Sequence, residues 1–158
     1  MAQNLSKTFQ LVDKACELEA RISELYQACA EHWPEDRPFW EDIAQQEREH
    51  SQGMGTMRRM IERDPSAFEL MSPVNPVAID AFIARLDEVT QKVRSGQYDK
   101  LRILATAADI EQSVLESSFA AAVKTANLGC QEIQTKIASE TRQHREAFVQ
   151  RIEMVKKP

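Results

Sequence analysis

Glycine is scarce in this chain, with four residues among 158. Long periodic segments run almost without it, which points to an all-α fold. Cysteine is also sparse: Cys16, Cys29 and Cys130 are far apart and form no Cys-x-x-Cys. A four-thiolate iron site or a zinc ribbon is thereby excluded, and Cys16 and Cys29, on an apolar stripe, read as small buried hydrophobes. No basic run exceeds Lys156-Lys157 and the formal net charge is −5, so a nucleic-acid partner is not expected. No apolar run approaches the roughly 20 residues that a membrane span needs. The first residues lack the charged-then-apolar layout of a signal peptide, so a cytoplasmic location is expected. There is no nucleophile–base motif, no phosphate-cradling glycine loop and no sign of a pocket for an organic substrate.

What is present is a set of amphipathic helices in a length suited to one domain, residues 1–158. Helix 1 is expected from about Ser6, capped by Asn4 or Ser6, to Trp33, where the Pro34–Pro38 segment stops it. Helix 2 runs from Pro38 to Asp64, and residues 65–75 read as loop. Asn75-Pro76 opens helix 3, which Gly96 ends. Helix 4 is expected from Tyr98 to Ala126, and helix 5 from the Asn127-Leu-Gly129 break to Lys156. Short connections make helices 1 and 2, and helices 4 and 5, two antiparallel hairpins. A long crossover containing helix 3 joins them into a four-helix bundle.

One stripe carries the chemistry. In alternating steps of three and four, helix 2 presents Trp40, Ile43, Glu47, His50, Met54, Met57 and Ile61. Every member is apolar except Glu47 and His50. A carboxylate in a core seam costs several kcal/mol or more unless something compensates it, and a cation is the leading candidate. The other seams contain similar intruders: Glu19 on helix 1, Glu111 on helix 4, and His144 on helix 5. Counted from the hairpin ends at Trp33, Pro38, Ala126 and Gln131, Glu19, His50, Glu111 and His144 lie at similar depth, within about one turn, so their side chains could converge. An internal echo runs alongside. Glu19 falls on Glu111 at an offset of 92 residues, and His50 on His144 at an offset of 94. The two hairpins could therefore be related by a pseudo-two-fold axis. Glu47 and His50, three apart, share a helix face and can reach one ion. Carboxylates with one imidazole per metal suit iron, or manganese, better than zinc. Without a metal, the same residues could form a buried hydrogen-bonded pair.

These residues resemble the ferritin-like superfamily, most closely its rubrerythrin branch. The shared features are Glu19 followed seven positions later by Tyr26, the Glu47-x-x-His50 step, Glu111, and His144. The resemblance spans roughly residues 5–155 in architecture, but only a handful of motif positions. It implies a ferritin-like bundle holding two iron ions, a Tyr26 hydroxyl that donates to a ligand carboxylate, and an oxidoreductase acting on peroxide, dioxygen or ferrous iron. A homodimer is expected, and an external electron donor, because no rubredoxin domain is fused. The pattern departs at the second Glu-x-x-His, where Thr141 stands three residues before His144. Glu140, one turn from His144, is the candidate replacement ligand. Without it, the second position loses a ligand and a negative charge, and the chain binds one metal, two weakly, or none. A bundle with a decayed site, acting through its surface, and an iron carrier or sensor are the rival readings.

Overall fold

The computed structural model describes residues 2–71, 75–117 and 122–157, with side chains described from residue 5 onward. Five helices carry most of it, so the all-α expectation holds: α1 (Ala2–His32), α2 (Arg37–Arg63), α3 (Pro76–Arg94), α4 (Lys100–Ser117) and α5 (Leu128–Lys156). No helix among the described residues is long and apolar enough to cross a membrane.

Pairings along the helices give their directions. Arg58 meets Asp13 at 2.6 Å, Ser51 donates to the Cys16 carbonyl at 2.9 Å, and Trp40 lies against Trp33, so α1 and α2 are antiparallel. Lys14 pairs with Asp80, and Arg21 with Asp87, so α3 runs along α1 in the same direction. Lys136 reaches Glu49 and His144 reaches Gln46, so α5 is antiparallel to α2. Gly53 permits that approach: a Cβ there would lie 3.0 Å from Ile133 Cγ2. α4 brings Glu111 to Tyr26 of α1.

The ends follow local chemistry, with some differences from expectation. α1 extends to Ala2, so Asn4 and Ser6 lie inside it rather than capping it. Asn75 caps α3 by accepting from the Val77 amide at 3.0 Å, and Gly96 follows the helix at φ +73°. Asn127 caps α5 by accepting from the Cys130 amide at 3.0 Å, which places Leu128 and Gly129 within the helix.

The expectation that helix 4 continues to Ala126 is incorrect. Val123–Thr125 is a strand, β2, paired antiparallel with β1 (Phe68–Leu70) inside the segment expected to be loop. Its register is Phe68 opposite Thr125 and Leu70 opposite Val123. Ser72 and Pro73 of that segment, and Ser118 of the expected helix 4, lie outside the described residues. The α5 side chains hold β2 in place: Gln134 and Gln131 donate to the Val123 and Thr125 carbonyls at 2.7 and 2.8 Å. Backbone groups that a helix would have satisfied internally are thus satisfied by a distant strand and two glutamines.

The helix 2 stripe is buried in full, with Ala44 added. On α5 the buried set is Cys130, Ile137, Thr141, His144 and Phe148, which settles position 141 rather than 140 as the seam residue. α1 buries more than one stripe because it packs against both α2 and α3. On α4, Ile103, Ala107 and Val114 are buried with Glu111, whereas Leu101 is exposed. Along the helices a polar layer lies between two apolar ones. Trp40, Tyr26 and Phe148 pack on one side, and Met54, Met57 and Ile137 on the other.

Candidate metal centre

Five buried side chains from four helices meet in the polar layer: Glu19 of α1, Glu47 and His50 of α2, Glu111 of α4, and His144 of α5. They fall into two groups that share Glu47. In the first, ligand atoms of Glu19, Glu47 and His50 lie within 4.8 Å of one another; in the second, those of Glu47, Glu111 and His144 do. His50 Nδ1 is 3.1 Å from Glu47 Oε2 and 3.9 Å from Glu19 Oε2. His144 Nδ1 is 2.7 Å from Glu47 Oε1 and 3.7 Å from Glu111 Oε2. Each oxygen of Glu47 therefore serves one histidine. The two rings lie 5.7 Å apart and are nearly parallel, at 24°.

The donor set fits a metal ion. Three of its buried atoms, Glu19 Oε2, Glu47 Oε1 and His144 Nδ1, have no hydrogen-bond partner among the described residues. The last two are close yet not aligned as donor and acceptor. Unsatisfied buried polar atoms are rare in folded proteins. Carboxylate and imidazole donors converging in one layer are the chemistry that a divalent cation satisfies. The buried Glu and His groups could thus hold a metal ion.

Protonation shows what the cluster does without one. Burial would raise the Glu47 carboxyl, but His144 and His50 outweigh it and hold it at about 2. Burial opposes charge on His144, yet Glu111 and Glu47 raise it to about 10; His50 is raised as well, chiefly by Glu47 against its own burial. Burial and then the Glu47 charge push Glu111 up to about 7. The same two causes push Glu19 well above the usual carboxylate range. Protons therefore take the place of cations: Glu47 stays a carboxylate, His144 an imidazolium, and burial favours the protonated form of Glu19. A metal must displace them.

Outer partners fix the rings. His50 turns its Nε2 to Glu140 Oε2 at 2.8 Å, and His144 turns its Nε2 to Gln46 Oε1 at 3.0 Å. Gln46 and Glu140 are separated by 94 residues, the spacing of His50 and His144. Each residue that precedes the Glu-x-x-His position on one helix thus supports the histidine of the other. Such partners orient a ligand imidazole and raise its basicity. Tyr26 donates to Glu111 Oε1 at 2.5 Å from a fully buried position, where burial and Glu111 keep its phenol protonated.

Glu140 therefore stands on the far nitrogen of His50, rather than among the atoms that face inward. The residue equivalent to Glu47 is Thr141, whose hydroxyl donates to the Ile137 carbonyl at 2.7 Å within its own helix. Gln46 was not anticipated from the sequence; the 94-residue echo, read one position before Glu47, was the signal that could have found it. His32 is exposed in the last turn of α1 and takes no part. Cys29 and Cys130 are buried, and half-buried Cys16 donates to the Ser51 carbonyl at 3.2 Å.

No protein-family model, curated protein or solved structure matches the chain.

Proposed function

We propose that the chain is a rubrerythrin-related, ferritin-like protein that holds two iron ions and works as an oxidoreductase on peroxide, dioxygen or ferrous iron. The observation that carries this reading is Glu47, a fully buried carboxylate with one oxygen directed to each of two Glu–His groups. α1 with α2 and α4 with α5 supply the two halves of the bundle, and the segment containing α3 crosses between them.

Glu19 and His50 would hold the first ion, Glu111 and His144 the second, and Glu47 both. Two iron ions there would supply the electron pair that a peroxide or dioxygen bond takes up. The chain supplies the rest. Trp40 and Phe148 exclude water on one side of the site. Gln46 and Glu140 keep both imidazoles turned inward, and Tyr26 fixes Glu111 and holds a proton at its phenol oxygen. Glu19 and Glu111 take protons when the metal leaves. The cycle draws electrons from an external donor, and a two-fold dimer is the expected assembly.

Thr141 supports a second reading, a bundle whose site has decayed into a structural or carrier role. Its hydroxyl is bound to its own helix, so α5 brings one ligand where α2 brings two. Peroxide separates the two. Anaerobic protein loaded with ferrous iron should consume peroxide in proportion to bound iron, with a rise in near-ultraviolet absorbance. Iron that stays ferrous, or oxidises no faster than free iron, would favour the carrier reading. Failure to load at all would favour the decayed site.

A further inference from the structure

Both tryptophans of the chain stand in one line with Tyr26. Tyr26 donates its phenol proton to Glu111 Oε1 at 2.5 Å, the length of a charge-assisted bond to a carboxylate. Its ring lies 5.7 Å from that of Trp40, centre to centre. Trp40 lies 6.4 Å from Trp33, with the ring planes 30° apart. Tyr26 and Trp40 are shut off from solvent, whereas Trp33 is 9% exposed beside the Pro34–Asp36 turn. The exposed His32 meets Trp33 edge to face at 4.5 Å.

Local structure explains the line. Tyr26 and Trp33, seven apart on α1, share a helix face. After the turn, α2 brings Trp40 back against both rings. Phe39 and Phe148 pack around Trp40, and Phe148 also meets Tyr26. These two phenylalanines supply the apolar volume that packing requires. A benzene ring resists oxidants that take an electron from indole or phenol. The oxidisable rings thus form one series, which begins at the proposed ligand Glu111 and ends at the surface.

The geometry points to a one-electron relay, Tyr26–Trp40–Trp33, that joins the proposed centre to a reductant at the α1–α2 turn. The inference rests on the metal-centre reading and adds the route and point of entry of the electrons. Peroxide is the oxidant. Cleaving it to two waters takes two electrons, and two protons from solvent. While peroxide is reduced at the centre, Tyr26 gives up one electron inward and its phenol proton to Glu111. Trp40 returns an electron to the Tyr26 ring, and the proton goes back from Glu111 to the phenol oxygen. Trp33 refills Trp40, and an external one-electron reductant refills Trp33. Within the chain only the Tyr26 O–H bond breaks and re-forms. Two passages carry two electrons from the reductant to peroxide. Electron tunnelling falls off exponentially with distance, so short steps between neighbouring rings outrun one long step from the surface.

Two spectroscopic experiments test the relay. His50 and His144 are buried, so a ruthenium photo-oxidant can be attached at His32. The labelled metal-free protein is flash-oxidised above about pH 7, where Glu111 is ionised. A tryptophan radical should form and give way to the phenoxyl radical of Tyr26 in transient absorption. Tyr26→Phe should lose the phenoxyl signal and keep the tryptophan one. Trp40→Phe should lose the phenoxyl signal although Tyr26 is present, with circular dichroism confirming the fold of each variant. In the second experiment, anaerobic ferrous-loaded protein is mixed with excess peroxide, frozen, and examined by electron paramagnetic resonance. The native protein should show an aromatic radical that ferrocyanide removes, and Trp33→Phe should retain its radical in ferrocyanide. No phenoxyl signal in the native protein, or an equal one in Trp40→Phe, would overturn the inference. Iron uptake and oxidation without an aromatic radical would also overturn it and leave the metal centre standing. Phenoxyl formation without any iron uptake would overturn the metal-centre reading while the relay stands.

Discussion

The α1–α2 half and the α4–α5 half each send one carboxylate and one imidazole into the polar layer, from Glu19 and His50 and from Glu111 and His144. Behind the imidazoles the halves also agree, since Glu140 supports His50 as Gln46 supports His144. They part at one position. α2 sends Glu47 between the two histidines, and α5 has Thr141 there, bonded to its own helix. The difference divides the labour of the site. Ring orientation is shared by the two helices, whereas the charge that both proposed ions need comes from one residue. Thr141 and Glu19 also line one cavity.

The largest effect should come from removing the shared carboxylate. Glu47→Gln should lower affinity at both positions by more than about hundredfold, measured as iron per chain. It also leaves buried imidazoles without their anion, and should destabilise the metal-free protein by about 3 kcal/mol or more in denaturant unfolding. Glu19→Gln breaks the symmetry differently. It should weaken the first position and spare the second, leaving about one iron per chain.

Thr141→Glu would restore the missing half. With metal, it should tighten the second position by at least about tenfold in ferrous titration, in line with the effect of ligand-shell changes. Without metal, it adds a carboxyl beside Glu19 and should lower the melting temperature. Unchanged iron affinity would mean that position 141 does not face the ions.

Smaller effects should separate the outer partners. Glu140→Ala should weaken the His50 position and Gln46→Ala the His144 position, each by roughly 10–100-fold, resolved by titrating the Glu19→Gln and Glu111→Gln backgrounds. Equal loss at both positions from either variant would contradict the crossed support.

The pH dependence is the gentlest test. Glu111 is held at about 7 against an ordinary 4.5, and His144 at about 10 against 6.5. The folded metal-free protein thus binds more protons than the unfolded chain. The Glu111 contribution to stability is complete below 4.5 and is lost as pH rises through 7. The His144 contribution is complete below 6.5 and is lost as pH rises through 10. Glu47, lowered from 4.5 to about 2, contributes stability that is complete above 4.5 and is lost as pH falls through 2. The melting temperature of the metal-free protein should therefore fall from about pH 5 to about pH 9. The increment from ferrous iron should grow over the same range, as fewer protons must leave. A flat profile that persists in Glu47→Gln would contradict this.

The parts of this molecule that could be read from the sequence are those governed by one helix at a time. The α2 stripe from Trp40 to Ile61 is buried as its spacing predicts, and Glu47 and His50 stand out because apolar neighbours surround them. Glu19, Glu111 and His144 follow from the same reasoning on other helices. What escaped depends on contacts distant in sequence. Val123–Thr125 keeps a plausible helical spacing, but it pairs with Phe68–Leu70, a partner no local pattern specifies. Gln46 looks like a surface residue until the register of α2 against α5 is known. The register also decides that Glu140 faces the outer nitrogen of His50. The cavity is a gap left by side chains and a strand, and periodicity carries no information about empty space.

The central claim is that Glu47 serves two ions at once, and anaerobic ferrous titration of three proteins side by side tests it most directly. The account predicts about two iron ions per chain for the native protein, about one for Glu19→Gln, and none bound tightly for Glu47→Gln. Native protein that binds no iron, or a Glu47→Gln variant that still binds two, would contradict it.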